Sequence, residues 1–205
     1  MKKQMILSVV AMVVLFMVSV SANAQSKVSL GVKGGLNSTF FIMKSDSPYS
    51  NGTLGFGGSA GGFLKYDVNN WFAVQTDLMF HYRNSELKSK ATAEKKTFES
   101  YSVELPVYAV FQVDLSSGKF FFGLGPYIGY GISAKTGGID MFKKCTAGDT
   151  PMQRVNYGGA VMLGYNFTHH WQINASYISQ APLGATGTST MNPQTFGLGI
   201  GYSFY

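Results

Sequence analysis

Beyond residue 24 no stretch of the chain approaches 18 consecutive apolar residues, yet apolar side chains return at every second position along most of its length. Val28, Leu30, Val32, Leu36 and Phe40 alternate with Ser29, Lys33, Asn37 and Thr39. Period two is the period of a β-strand, whose successive side chains point to opposite faces. The pattern recurs over Leu54–Tyr66, Phe72–Tyr82, Tyr101–Val113, Phe120–Ile132, Val155–Phe167, Trp171–Tyr177 and Phe196–Phe204. Eight strands are predicted, most of them long enough to cross a bilayer when tilted, which takes about 9–11 residues. No segment follows helical period well. If the mature chain spans a membrane, it does so with strands, because only helices and closed barrels satisfy their backbone groups in lipid.

The connections support a barrel. Asp67–Asn70, Leu115–Gly118 and Thr168–His170 are short, whereas Ile42–Thr53, Asn84–Phe98, Ala134–Met152 and Gln180–Asn192 are long. Short turns alternating with long loops match outer-membrane barrels, with the short turns in the periplasm. A soluble lipocalin-like barrel is the structural rival. It would turn its apolar face inward, around a ligand. The apolar face here carries aromatics near strand ends, such as Tyr66, Phe72, Tyr82, Tyr101, Phe167 and Trp171, as a membrane-interface girdle does. Only 13% of residues are charged, 15% are aromatic and 25 are glycine. That composition excludes a disordered chain, and a single cysteine excludes a disulfide scaffold and a Cys-rich zinc site.

The first 24 residues read as an address. Lys2 and Lys3 precede an apolar run from Met5 to Val20, and Ala22-Asn23-Ala24 supplies a small-residue cleavage pattern. The expected domains are a cleaved secretory signal over 1–24 and one barrel over 25–205.

Several segments resemble the porin-like outer-membrane β-barrel domain family, which includes PorT-type proteins and is akin to small OmpA/OmpX-like eight-stranded barrels. The opening Gly31-Val32-Lys33-Gly34-Gly35-Leu36-Asn37 resembles its first strand. Gly61-Gly62-Phe63-Leu64-Lys65-Tyr66 and Gln75-Thr76-Asp77-Leu78-Met79-Phe80 resemble its second hairpin, with Thr76-Asp77 where the family usually has Pro-Glu. Val103-Glu104-Leu105-Pro106-Val107, Gly123-Leu124-Gly125-Pro126-Tyr127 and the closing Gly197-Leu198-Gly199-Ile200-Gly201-Tyr202-Ser203-Phe204 follow in family order. The resemblance covers nearly all of the mature chain. It implies an eight-stranded antiparallel up-and-down transmembrane barrel in a bacterial outer membrane, inserted by the barrel assembly machinery. That machinery reads a last strand ending in an outward aromatic; Phe204 is in phase, although Tyr205 follows it. It implies little chemistry.

Inward polar groups gather on the third and fourth predicted strands. Gln75, Asp77, His81 and Arg83 face Glu104 and Asp114 if the register allows, and Arg154 lies further along the chain. Buried charges must be paired, so these residues are expected to form a network that fills the lumen, with Glu104 bound to Arg83 or Arg154. A proton or ion path is the functional alternative. Lysines in the long loops, Lys88, Lys90, Lys95 and Lys96, then Lys143 and Lys144, are candidates for contact with lipopolysaccharide phosphates, although Glu86, Glu94, Asp140 and Asp149 dilute them. His81 with Ser85 and Glu86 could serve a lipid A-modifying enzyme. No G-x-S-x-G motif accompanies them, and His169 and His170 fall in a periplasmic turn. Gly57 to Gly62 lacks the lysine and the helix of a phosphate loop. The expectation is therefore no enzyme, no cofactor and no metal, and no nucleic-acid partner despite a net charge of +6. Cys145 is expected to be a free thiol. A structural or surface-loop role leads, with a narrow porin or transport accessory as runner-up.

Overall fold

The computed structural model describes residues 27–43, 49–51, 54–90, 94–143, 152–167, 170–181 and 191–204. The expected signal segment, Lys144, Cys145 and His169 lie outside them. The strands are β1 (Val28–Met43), β2 (Tyr49–Asn51), β3 (Gly55–Asp67), β4 (Phe72–Ser89), β5 (Lys95–Leu115), β6 (Gly118–Thr136), β7 (Ile139–Asp140), β8 (Val155–Asn166), β9 (Trp171–Gln180) and β10 (Met191–Ser203). Each long strand pairs antiparallel with its chain neighbours. The ring closes where β1 meets β10, Gly31 lying opposite Ser203 and Ile42 opposite Asn192. Eight strands thus form an up-and-down barrel without a free edge, and the short β2 and β7 only extend hairpins beyond its rim.

The strand faces settle which solvent surrounds the barrel. Leu36, Tyr157 and Leu198 stand on the outer wall at 67%, 65% and 59% exposure, while Lys33, Gln75, Asp77, Arg83 and Glu104 are buried inside. A wall of that kind in water would be one continuous apolar patch. A lipocalin-like reading reverses the faces and fails. Outward aromatics gather at two levels. Trp71 stacks on Phe111 and Trp171 meets Tyr202 near the short turns, and Tyr82 packs on Tyr101 at the far level. Phe72 to Tyr82 spans about 33 Å of strand, or about 25 Å along the membrane normal at a tilt near 40°.

Two features differ from the sequence expectation. First, Asn84–Phe98 is not a loop. β4 and β5 stay paired out to Lys88 opposite Lys95, so the hairpin projects well past the aromatic level. The alternation continues through Ser85, Leu87, Phe98 and Ser100, all buried, but polar outward neighbours conceal it. Second, the interior is not uniformly polar. Tyr108, Val110, Phe121, Tyr127, Met162 and Ile178 make an apolar cluster on the β5–β9 side. Two glycine sites serve geometry. Gly137 and Gly138 take φ of 54° and 83° to turn β6 into β7, as a two-residue hairpin requires. At Gly61 a Cβ would run into the Leu78 carbonyl oxygen and meet Met79 Sδ at 2.8 Å, so only glycine lets β3 follow the tight wall.

Candidate functional site

The interior is built in layers. Nearest the short turns, β3 and β5 are tied together: Lys65 Nζ donates to Gln112 Oε1 at 2.9 Å and pairs with Asp67 at 3.1 Å, and Gln112 Nε2 donates to Asp67 Oδ1 at 2.7 Å. The next layer is a buried ion pair that bridges over β3, from Lys33 of β1 to Asp77 of β4 at 2.9 Å. Gln75 Nε2 donates to the other carboxylate oxygen at 2.7 Å, and the Lys33 ammonium lies 4.9 Å from the Phe63 ring centre. The third layer centres on Glu104. Arg83 grips it with two parallel bonds, Nη1 to Oε1 at 2.7 Å and Nη2 to Oε2 at 2.8 Å. Ser102 Oγ donates to Glu104 Oε1 at 3.1 Å, and Arg83 also reaches Ser102 and Thr195 at 2.7 and 3.0 Å. His81 Nε2 lies 3.5 Å from Glu104 Oε2. The fork-to-fork geometry fixes two planar groups and leaves few of their hydrogen-bonding positions unused.

Above this layer the lumen ends in an apolar lid of Phe41, Leu87, Phe98, Ala134 and Met152, with Met141 and Phe142 packed against it. Phe41 and Phe98 meet edge to face at 5.3 Å. Between the second and third layers a cavity of about 40 Å³ touches Lys33, Asp77, His81 and Asn174. It has room for water beside His81 Nδ1 and Asn174 Nδ2, which have no hydrogen-bond partner among the described residues. A larger cavity of about 680 Å³ lies at the short-turn end. Among the described residues the interior is therefore a stack of packed layers.

Of the expected network, His81, Arg83 and Glu104 meet in one layer, with Arg83 the partner of Glu104, while Gln75 and Asp77 meet in a separate layer with Lys33. Asp114 and Arg154 do not join them. Asp114 has the inward phase but sits beyond the last packed layer; its side chain is 64% exposed and pairs with Lys119 at 3.2 Å. Arg154 precedes β8 and lies at the surface, where its guanidinium donates to the carbonyls of Gly131 and Ile132 and covers the Phe142 ring at 4.4 Å. A register shift in the β5–β6 ladder at Tyr101 and Ser102 falls beside that site. Sequence reasoning missed Lys33 as the partner of Asp77, and Ser102, Thr195 and Gln180 around Glu104. Each had the inward phase of its strand, which was the available signal.

The loop lysines share one end of the barrel but not one cluster. Lys88 and Lys95 stand opposite each other on the outer face of the β4–β5 hairpin, with Glu86 3.2 Å from Lys95. Lys96 lies 3.9 Å from Glu94, Lys90 is in the turn, and Lys143 is exposed beyond β7. His81 and Ser85 are buried in the lumen, and Glu86 points to the opposite face, so the supposed enzyme trio is split by the pleat. Among the described residues no three His, Cys, Asp or Glu side chains are placed to hold a metal.

No curated protein matches the sequence. Among solved structures, Neisserial surface protein A aligns at 16% identity over 86% of this chain and 99% of its own, with a TM-score of 0.51. Ail of Yersinia pestis, solved with the heparin analogue sucrose octasulfate, aligns at 20% identity over 87% and 99%, with a TM-score of 0.48. The outer membrane protein W of E. coli aligns at 17% identity over 88% and 100%, with a TM-score of 0.46. The family model described as the outer membrane protein beta-barrel domain matches residues 8–204. The chain belongs to that family and is a β-barrel of the bacterial outer membrane.

Proposed function

We propose that this protein is a closed surface barrel that acts through its extracellular hairpins, which contact the phosphates of lipopolysaccharide, without conducting solutes and without catalysis. The observation that carries the reading is the Lys88–Lys95 pair, two cations directly opposed on the outward face of β4 and β5. Like charges in that position oppose each other; Glu86 meets Lys95 at 3.2 Å, which leaves Lys88 as the cation of the pair that faces an anionic neighbour outside the protein. Six residues of strand separate Lys88 from Tyr82 of the aromatic level, which is about 20 Å of strand and about 15 Å of height. That is the depth of the phosphorylated headgroups and inner sugars, beyond the acyl chains. Lys135, opposite Glu99, extends the same face onto β6.

The plugged lumen supports the closed reading over a narrow porin, because Arg83–Glu104, Lys33–Asp77 and the Phe41–Phe98 lid lie in series. The test is refolding into phospholipid vesicles with and without lipopolysaccharide, read as the temperature at which heat-modifiable gel mobility is lost. Lipopolysaccharide should raise that temperature for the wild type, and less for Lys88→Gln/Lys95→Gln/Lys135→Gln. Exposed pairs contribute about 0.2–1 kcal/mol each, so the three together should change affinity about tenfold. The difference should vanish near 1 M salt, where the screening length is about 3 Å. An equal rise in wild type and variant would remove the lysine contact from the reading, and steady single-channel conductance would remove the closed lumen.

A further inference from the structure

The β6–β8 ladder ends with Tyr130 opposite Val155, although β6 runs on to Thr136. Past Tyr130 the edge of β6 lacks a partner strand until Ala134 and Lys135, where the β7 segment joins. Ile132 has no opposite residue on β5 either, because the register shifts there: Ser102 faces Gly131 and Tyr101 faces Ser133. Backbone groups left over at such a bulge need other partners. Arg154, the residue before β8, supplies them. Its carbonyl accepts from the Gly131 N–H at 2.6 Å, and its Nη1 donates to the carbonyls of Gly131 and Ile132 at 3.1 and 2.9 Å. The Phe142 ring lies against the guanidinium at 4.4 Å. Two carbonyls and a ring thus fix the position and plane of an exposed arginine. The two bonds spend the Nη1 hydrogens. Nε and Nη2 make no hydrogen bond among the described residues, and no described carboxylate lies within 4.0 Å of the group. That Nε–Nη2 edge is the side of the guanidinium fork that meets two oxygens of one anion.

Its height selects the anion. Tyr130, Ile132, Val155 and Tyr157 are exposed on the outer wall around Arg154, so the guanidinium stands where the apolar band ends. The layer directly above the hydrocarbon core is that of the lipid headgroups. We infer that Arg154 is a preorganised site for a single lipid phosphate of the outer leaflet, gripped by the Nε–Nη2 edge. The inference rests on the reading of the extracellular end as a lipid-contact surface, but on none of Lys88, Lys95 and Lys135. It adds a geometric requirement to that reading: the shape of the guanidinium, and not its charge alone, holds the headgroup.

The chain has two arginines, and Arg83 is buried in the lumen, so its Nε–H signal is an internal control. The experiment is an NMR titration of the ¹⁵N-labelled full-length mature protein in dodecyl maltoside, a detergent without phosphate. Dilauroyl phosphatidic acid, laurate and inorganic phosphate are added separately at constant ionic strength. Phosphatidic acid should move the Arg154 Nε–H signal saturably and leave that of Arg83 in place. Laurate and inorganic phosphate should need about tenfold higher concentrations, lacking respectively the phosphate and the membrane anchor. Arg154→Lys keeps the charge but loses the fork, and should weaken phosphatidic acid binding about tenfold, read at the Ile132 and Val155 backbone amides. Lys88→Gln/Lys95→Gln/Lys135→Gln should leave the midpoint at Arg154 unchanged, which separates this site from the lysine face. A linear Nε–H response, an equal midpoint for laurate or inorganic phosphate, wild-type binding by Arg154→Lys, or loss of the response in the lysine variant would each overturn the assignment. If Arg154→Lys does not fold, the wild-type titration with its three ligands still decides.

Discussion

Replacing Arg83 by methionine probes the layer on which the closed lumen depends. The guanidinium makes two bonds to Glu104 at 2.7 and 2.8 Å, one to Ser102 and one to Thr195. Glu104 is 1% exposed, so after the change its carboxylate keeps only Ser102 at 3.1 Å, a long contact from Gln180 at 3.5 Å and His81 at 3.5 Å. Removing one partner of a buried pair costs about 3–5 kcal/mol, because the other charge is left without its counter-charge. Glu104→Met should cost a similar amount for the same reason. In Arg83→Met/Glu104→Met both charges are gone. What remains is the loss of the Ser102 and Thr195 partners, about 1 kcal/mol each. The double variant should therefore lie near 2 kcal/mol, well below the sum of the singles, with a coupling of several kcal/mol. The assay is urea unfolding from thin phospholipid vesicles, followed by the fluorescence of Trp71 and Trp171, the two tryptophans of the chain. Additive costs, or a cost below about 1 kcal/mol for Arg83→Met alone, would refute the argument, since a hydrated pair behaves like a surface one.

Three further substitutions test the barrel. Leu78→Arg places a charge on the outward face of β4 midway between the aromatic levels, opposite Gly62, and should destabilise the barrel by about 2–4 kcal/mol in the same assay. Asn156→Ala removes an inward side chain whose Oδ1 accepts only a long contact from Gln180, 3.5 Å away, and should cost less; the reverse order would mean that inside and outside are exchanged. Gly61→Val drives a branched side chain into the Leu78 carbonyl and Met79, and should cost about 1–3 kcal/mol or abolish the heat-modifiable gel shift. A neutral result there would show that β3 can bend without glycine.

The sequence alone determined everything that depends on neighbours one or two residues apart. Alternation put Gln75, Asp77, His81, Arg83 and Glu104 on one face and Phe72, Val74, Phe80 and Leu105 on the other, because the pleat is local and its period is fixed. Turn lengths gave the order of short and long connections. What required tertiary structure was the stagger between strands and the course of the barrel wall, which no local pattern encodes. That stagger brought Lys33 to Asp77 across 44 residues of sequence and set Thr195 beside Arg83 across 112. It also left Asp114 past the last packed layer and Arg154 at the rim, although both were plausible members of the network by phase. The β4–β5 hairpin was hidden for a related reason: beyond the membrane its outward positions carry Glu86, Lys88, Lys95 and Glu99, so the apolar half of the alternation disappears while the backbone ladder continues.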